Sequence, residues 1–243
     1  MPLRPWNPEA IGELLNTLEG LYGRARRIPR FTPMEELVSC ILSQHTADAN
    51  SFPAFTKLRE TYPDWQQVVD AGPEKVAVVV RKAGLANQKG RSIVNCLKAI
   101  HEKHGAYDLE HVRGMELREA RKALMDLPGV GPKTASIVLC FSFGMGAIPV
   151  DTHVFRVCWR LGLFEKSIGE SKAHDALLDL VPENLAFRFH TTLIQHGRLT
   201  CKAPTPACER CAVADRCRFF RAGGPQKKPK PRVKPKRTAR QAG

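Results

Sequence analysis

The stretch Leu127-Pro128-Gly129-Val130-Gly131-Pro132-Lys133-Thr134-Ala135 decides how the chain is read. Two glycines one residue apart allow the backbone to turn with φ > 0 and to bring successive N–H groups around an anion. Pro132 suits the first position of a helix, where its missing N–H leaves nothing unsatisfied. From Thr134 to Phe143 the residues are apolar nearly all round, which predicts a buried helix. A phosphate can then rest on Gly129, Val130 and Gly131 and on the helix N-terminus. Lys133 falls in the first turn, where the positive end of the helix dipole disfavours an ammonium and favours the free amine. Such an amine can attack a sugar carbon and form a Schiff base. The plainer reading is that Lys133 only contacts a phosphate, and a Gly-x-Gly turn alone does not separate the two. Eighteen residues further on, Asp151 stands in Val150-Asp151-Thr152-His153, just ahead of the apolar positions Val154, Phe155 and Val157. There it can cap a helix, worth about 1 kcal/mol, or serve as a carboxylate that stabilises positive charge, or do both.

The second feature is Cys201, Cys208, Cys211 and Cys217, spaced C-x6-C-x2-C-x5-C within 17 residues. Four thiolates around a C-x2-C pair read as a metal or iron–sulfur site. Coordination chemistry alone leaves zinc open beside iron–sulfur, and two disulfides are the remaining alternative in a chain without signs of export. Cys40, Cys96, Cys140 and Cys158 lie in apolar stretches and are expected to fill core space.

The chain has 243 residues and a net charge of +14, which suggests a polyanionic partner. Eight of those charges sit in residues 222–243, where Lys227, Lys228, Lys230, Arg232, Lys234, Lys236, Arg237 and Arg240 alternate with prolines and no acid intervenes. The rest of the chain is therefore only moderately basic. Proline and like-charge repulsion predict a disordered tail, either a solubility device or a non-specific DNA tether. Deleting residues 222–243 is expected to weaken binding to a nucleic acid, mainly at low salt, with the chemistry at Lys133 intact. No apolar run approaches the roughly 20 residues that span a bilayer, and the first residues lack the apolar core of a signal peptide, so a cytoplasmic, nucleoid-associated protein is expected, not a membrane one. Helical periodicity dominates and no segment alternates as a strand, which predicts an all-α fold. Asn7-Pro8-Glu9 reads as a helix start, and further helices are expected at about 33–43, 46–60, 73–83, 88–104, 116–127, 132–143, 152–161, 170–180 and 185–197.

With the glycine turn, Val150-Asp151-Thr152-His153-Val154-Phe155-Arg156-Val157 and the cysteine spacing in place, the chain resembles the endonuclease III family of helix-hairpin-helix DNA glycosylases over roughly residues 8–220. The resemblance implies two helical lobes with a DNA-binding cleft between them. Residues 26–145 would form a six-helix lobe with the helix-hairpin-helix, residues 1–25 plus 146–221 a cluster lobe, and residues 222–243 the basic tail. It implies a [4Fe-4S] cluster on Cys201, Cys208, Cys211 and Cys217, Lys133 as the Schiff-base nucleophile and Asp151 as the catalytic carboxylate. The partner would be double-stranded DNA carrying damaged pyrimidines or abasic sites, bound by a monomer. The reaction would be removal of an oxidised pyrimidine followed by β-elimination on the 3′ side. The buried base must be extruded and its gap filled. The resemblance assigns this to Leu85, an apolar wedge, and to a residue in the loop 42–48.

Two departures stand out. The family's glutamine in that loop aligns with His45, although Gln44 lies one position earlier. Lys202 is the single basic residue between the first two cysteines, where relatives carry several. These leave open a DNA-binding iron–sulfur protein of the same fold with weak or no glycosylase activity. A monofunctional glycosylase of the same superfamily would lack the lysine that this chain has at 133.

Overall fold

Short polar caps ahead of apolar stripes set where the helices begin. In a computed structural model that describes residues 5–224, α1 (Pro8–Tyr22) opens on Asn7, whose side chain accepts the Ala10 N–H at 2.9 Å, with proline at the first position. A reciprocal capping box between Thr32 and Glu35 starts α2 (Pro33–Ser43). There follow α3 (Asp48–Thr61), α4 (Trp65–Val79), a 3₁₀ turn at Arg81–Ala83, α5 (Ala86–His104), α6 (Leu117–Met125) and α7 (Pro132–Ile137). After a π-helical turn at Val138–Phe143 come α8 (Thr152–Leu161), α9 (Gly169–Leu180), α10 (Ala186–Leu199) and the short α11 (Arg218–Arg221). No strand occurs among the described residues, so the all-α reading holds.

Two local expectations change. The helix expected at 73–83 does begin at Pro73, behind the non-helical Gly72 (φ 77°), but it ends at Val79, and residues 65–71 form a helical segment ahead of it that was not expected, the two together making α4. Gly72-Pro73 separates the two segments, because glycine takes the positive φ of the bend and proline then needs no N–H partner where the second segment begins. The helix placed at 132–143 keeps its α geometry only to Ile137 and continues as the wider turn. The apolar run is buried in either geometry, so hydrophobicity could not tell them apart. The tail expectation for residues 222–243 falls, past Gly224, outside the described residues.

Apolar residues gather into two cores. One joins α2 to α7 through side chains such as Leu37, Ile41, Leu58, Ile93, Leu97, Leu124 and Val138. The other packs Ile11, Leu15 and Leu18 of α1 against Val154, Val157, Leu177, Phe189 and Leu193 of α8 to α10. What brings the first helix to elements more than a hundred residues away is a stripe of leucines fixed by two polar contacts. Arg188 pairs with Glu19 at 2.6 Å, a largely buried bond that holds the Glu19 carboxyl below its ordinary value, and the Tyr22 hydroxyl meets His196 Nδ1 at 2.9 Å. Between the two cores, Arg118 and Arg121 of α6 pair with Asp179 and Asp175 of α9, and Arg27 donates to the Phe141 carbonyl. Cys40, Cys96, Cys140 and Cys158 are all buried, as their apolar contexts predict.

Candidate functional site

The glycine turn is built less symmetrically than its sequence suggests. Gly129 has φ 79°, and a Cβ there would stand 2.8 Å from the Ser92 Cβ, so both conformation and space demand glycine. Gly131 is extended (φ −97°), and a Cβ on it would face open space. Its value is an unobstructed approach to the backbone at the head of α7. Val130 is buried, and its N–H closes the turn onto the Leu127 carbonyl at 3.1 Å. The turn is thus anchored by Val130, while the open amides are those of the first helical residues, which have no partner inside the helix.

Lys133 is exposed in the first turn of α7. Asp151 caps α8, its Oδ1 accepting the Val154 N–H at 2.7 Å. Both line one cleft of about 1020 Å³, which takes Cys40, Ser43, Gln44 and His45 from one side and His153, Glu170 and Arg198 from the other. The first group belongs to α2 and its following loop, the second to α8, α9 and α10, so the cleft runs between the two cores. The capping role of Asp151 and its presentation to the cleft coexist, because a cap uses one carboxylate oxygen and leaves the other.

Two histidines that sequence reasoning passed over hold the segment before Asp151. His174 Nε2 accepts the Val150 N–H at 3.1 Å while its Nδ1 faces the Glu170 carbonyl at 2.9 Å. His190 Nδ1 lies 2.8 Å from the Pro149 carbonyl and donates to it. Both rings are buried, and burial lowers both below the ordinary histidine value, His174 to about 4. The His174 bond requires a neutral ring, since Nε2 can accept only when unprotonated. Sequence carried no signal for this, because a histidine on an apolar helix face reads as filling.

The loops expected to enter DNA take unusual backbone. His45 (φ 54°) and Leu85 (φ 48°) are the two non-glycine residues with positive φ among those described, and both are exposed, Leu85 by 56%. Left-handed backbone costs such residues about 1–3 kcal/mol and concentrates where function holds it. The side chain of Gln44 is turned away from the tip. Its Nε2 donates to the Gly129 carbonyl at 3.0 Å and reaches Thr134 Oγ1 at 3.4 Å, which ties the loop to the glycine turn. That leaves His45 at the tip.

Cys201, Cys208, Cys211 and Cys217 line a single cavity of about 360 Å³, with Arg160 and His196 in its wall. Arg160 Nη1 reaches the Cys201 sulfur at 3.4 Å and donates to the Lys202 carbonyl at 2.9 Å, whereas its buried Nε has no partner. His196 Nε2 lies 3.7 Å from the Cys211 sulfur. No three of these groups converge on the position of a single metal ion among the described residues. Four thiols from one loop around one cavity, with the Arg160 cation against the Cys201 sulfur, are a donor set suited to a thiolate-bound metal group. From this region Arg156 of α8 reaches the Cys201 carbonyl at 2.9 Å and the Gly197 carbonyl at 2.8 Å, and also meets His153 Nδ1 at 3.0 Å. The cysteine loop is therefore wired to the wall of the cleft.

Comparison with known proteins places this arrangement. A family model described as HhH-GPD superfamily base excision DNA repair protein matches residues 38–183. The chain is 35% identical to endonuclease III of Thermotoga maritima, over 82% of this chain and 91% of that protein. It is also 35% identical to endonuclease III of Escherichia coli K12, over 77% of this chain and 84% of the relative. Among solved structures, a trapped endonuclease III–DNA covalent intermediate matches with a TM-score of 0.73 at 28% identity, covering 89% of this chain and 98% of that one.

Proposed function

Since the chain belongs to the endonuclease III family of the HhH-GPD superfamily, we propose that it is a base excision repair DNA glycosylase that also cleaves abasic sites, acting on duplex DNA with oxidised pyrimidines through a Schiff base on Lys133. The observation that carries this reading is the shared cleft of Lys133 and Asp151. The nucleotide is extruded into that cleft, with Leu85 and His45 placed to fill the gap it leaves. The Lys133 amine attacks C1′ and a C–N bond forms as the glycosidic bond breaks, the base leaving with the electron pair and a proton. Asp151, fixed by the Val154 amide, stabilises positive charge at C1′. Opening of the sugar gives the imine, which acidifies the C2′ proton. Removal of that proton expels the 3′ phosphate, and water then frees Lys133. The open amides at the head of α7 hold a backbone phosphate beside the reacting sugar.

Cys201, Cys208, Cys211 and Cys217 would hold a [4Fe-4S] cluster, whose contribution when bound is to fix the fold of residues 201–217. Arg156 carries that rigidity to His153 at the cleft. The cleavage steps above draw only on Lys133, Asp151 and the backbone amides.

Borohydride reduction in the presence of duplexes carrying an oxidised pyrimidine or an abasic site should trap the protein covalently on both. Lys133→Gln should abolish trapping while circular dichroism stays unchanged. Trapping that survives the substitution moves the nucleophile elsewhere, and a wild-type chain that processes neither substrate is a DNA-binding protein only.

A further inference from the structure

Lys89 is 3% exposed, and the reaction outlined above makes no use of it. Burying an ammonium is expensive unless every donor is satisfied. Here all three are. Nζ donates to the Leu42 carbonyl at 2.6 Å, to Thr46 Oγ1 at 2.7 Å and to the Ala83 carbonyl at 2.7 Å. Leu42 lies at the end of α2 and Ala83 at the end of the 3₁₀ turn, so the charge faces two sets of carbonyls left unpaired where helices stop. The Thr46 hydroxyl also contacts the Ala83 carbonyl directly. The acceptors come from the segments that frame the two strained tips: Leu42 and Thr46 flank His45, and Ala83 lies two residues before Leu85. On the far side of the first loop, Gln44 is bonded to the glycine turn.

We propose that Lys89 is a positioning residue that clamps the His45 and Leu85 loops to each other and so holds both left-handed tips in the geometry needed to keep an extruded nucleotide out of the stack. This rests on the glycosylase reading for its consequence, not for its geometry. The bonds join the Leu42 carbonyl and the Thr46 hydroxyl, 47 and 43 residues away in sequence, to the Ala83 carbonyl six residues away. A strained tip persists only where its surroundings over-determine it, and one ammonium does so for both loops together. Its place was visible in outline: Lys89 falls on the same face of α5 as Ile93, Cys96 and Ile100, all buried.

The test is Lys89→Met, which keeps length and apolar bulk while removing the three bonds. Amide hydrogen exchange should accelerate by at least about tenfold in residues 44–47 and 83–87 together, while α7 and α10 keep their protection. Single-turnover excision from a damaged duplex should fall by about tenfold or more, since a misplacement of about 1 Å is enough for such a loss. Cleavage of a single-stranded abasic oligonucleotide, which needs no extrusion, should stay within about twofold, less than the tenfold expected of a misplaced group. In a Leu85→Ala background, Lys89→Met should slow duplex excision no further, because the two act through one feature. Unchanged loop exchange overturns the clamp whatever the activity. Equal losses on duplex and single strand, or additive losses in the double variant, reduce Lys89 to a general fold stabiliser. Absence of excision by the wild type would overturn the enzymatic reading, with the exchange data still deciding the clamp.

Discussion

The Lys133 cleft and the cysteine cavity are held in opposite ways. Four cysteines from one stretch of 17 residues surround the cavity, closed by Arg160 and His196 and packed against the second core. The cleft is open, and its walls come from residues as far apart as Cys40 and Arg198. Its reactive lysine is exposed, and its carboxylate is placed by a cap bond and by two histidines that fasten the preceding peptide units. A local cage fails as a unit, and its loss reaches the cleft only through the Arg156 bonds to the Cys201 carbonyl and His153. A cleft assembled from two cores fails through small displacements, which affect rate before stability.

The sharpest way to break this contrast is Asp151→Asn. It should lower single-turnover excision by about a hundredfold or more, while the asparagine still caps α8 and the stability loss stays below about 1 kcal/mol. Near-normal turnover would reduce Asp151 to a cap. Cys211→Ser should act the other way round. Absorbance near 400 nm and bound iron should be lost, and thermal unfolding should shift down by about 5 °C or more. Stoichiometric zinc with no iron in the wild type would overturn the cluster assignment.

A smaller effect should appear with pH. His174 is lowered from 6.5 to about 4 by burial, so the unfolded chain takes up a proton first as pH falls. Its contribution is whole above about pH 6.5 and is lost between there and pH 4, on the order of 3 kcal/mol. Denaturant midpoints measured from pH 7 to 4.5 should fall, and less steeply in His174→Asn; parallel slopes in the two proteins would exclude His174 as a source.

Much of this molecule was readable in advance, and the exceptions follow a pattern. The starts of α1 and α8 depend on caps a few residues away, so Asn7 and Asp151 announce them. The helical segment at residues 65–71 and the π turn after Ile137 were missed, the second because it preserves the local apolar pattern. His174, His190 and Lys89 owe their roles to partners 24, 41 and 47 residues distant. Of these only Lys89 left a trace, as a charge on a buried stripe.

The sequence by itself determined the helical class, the glycine turn with its lysine, and the grouping of four cysteines, because each depends on interactions within a turn or two of chain. Only the tertiary structure decided that Lys133 and Asp151 share a cleft, that His45 and not Gln44 occupies the loop tip, and that one buried ammonium joins two loops. Those facts depend on how separate helices pack, and packing relates residues by distance in space, which linear spacing does not encode.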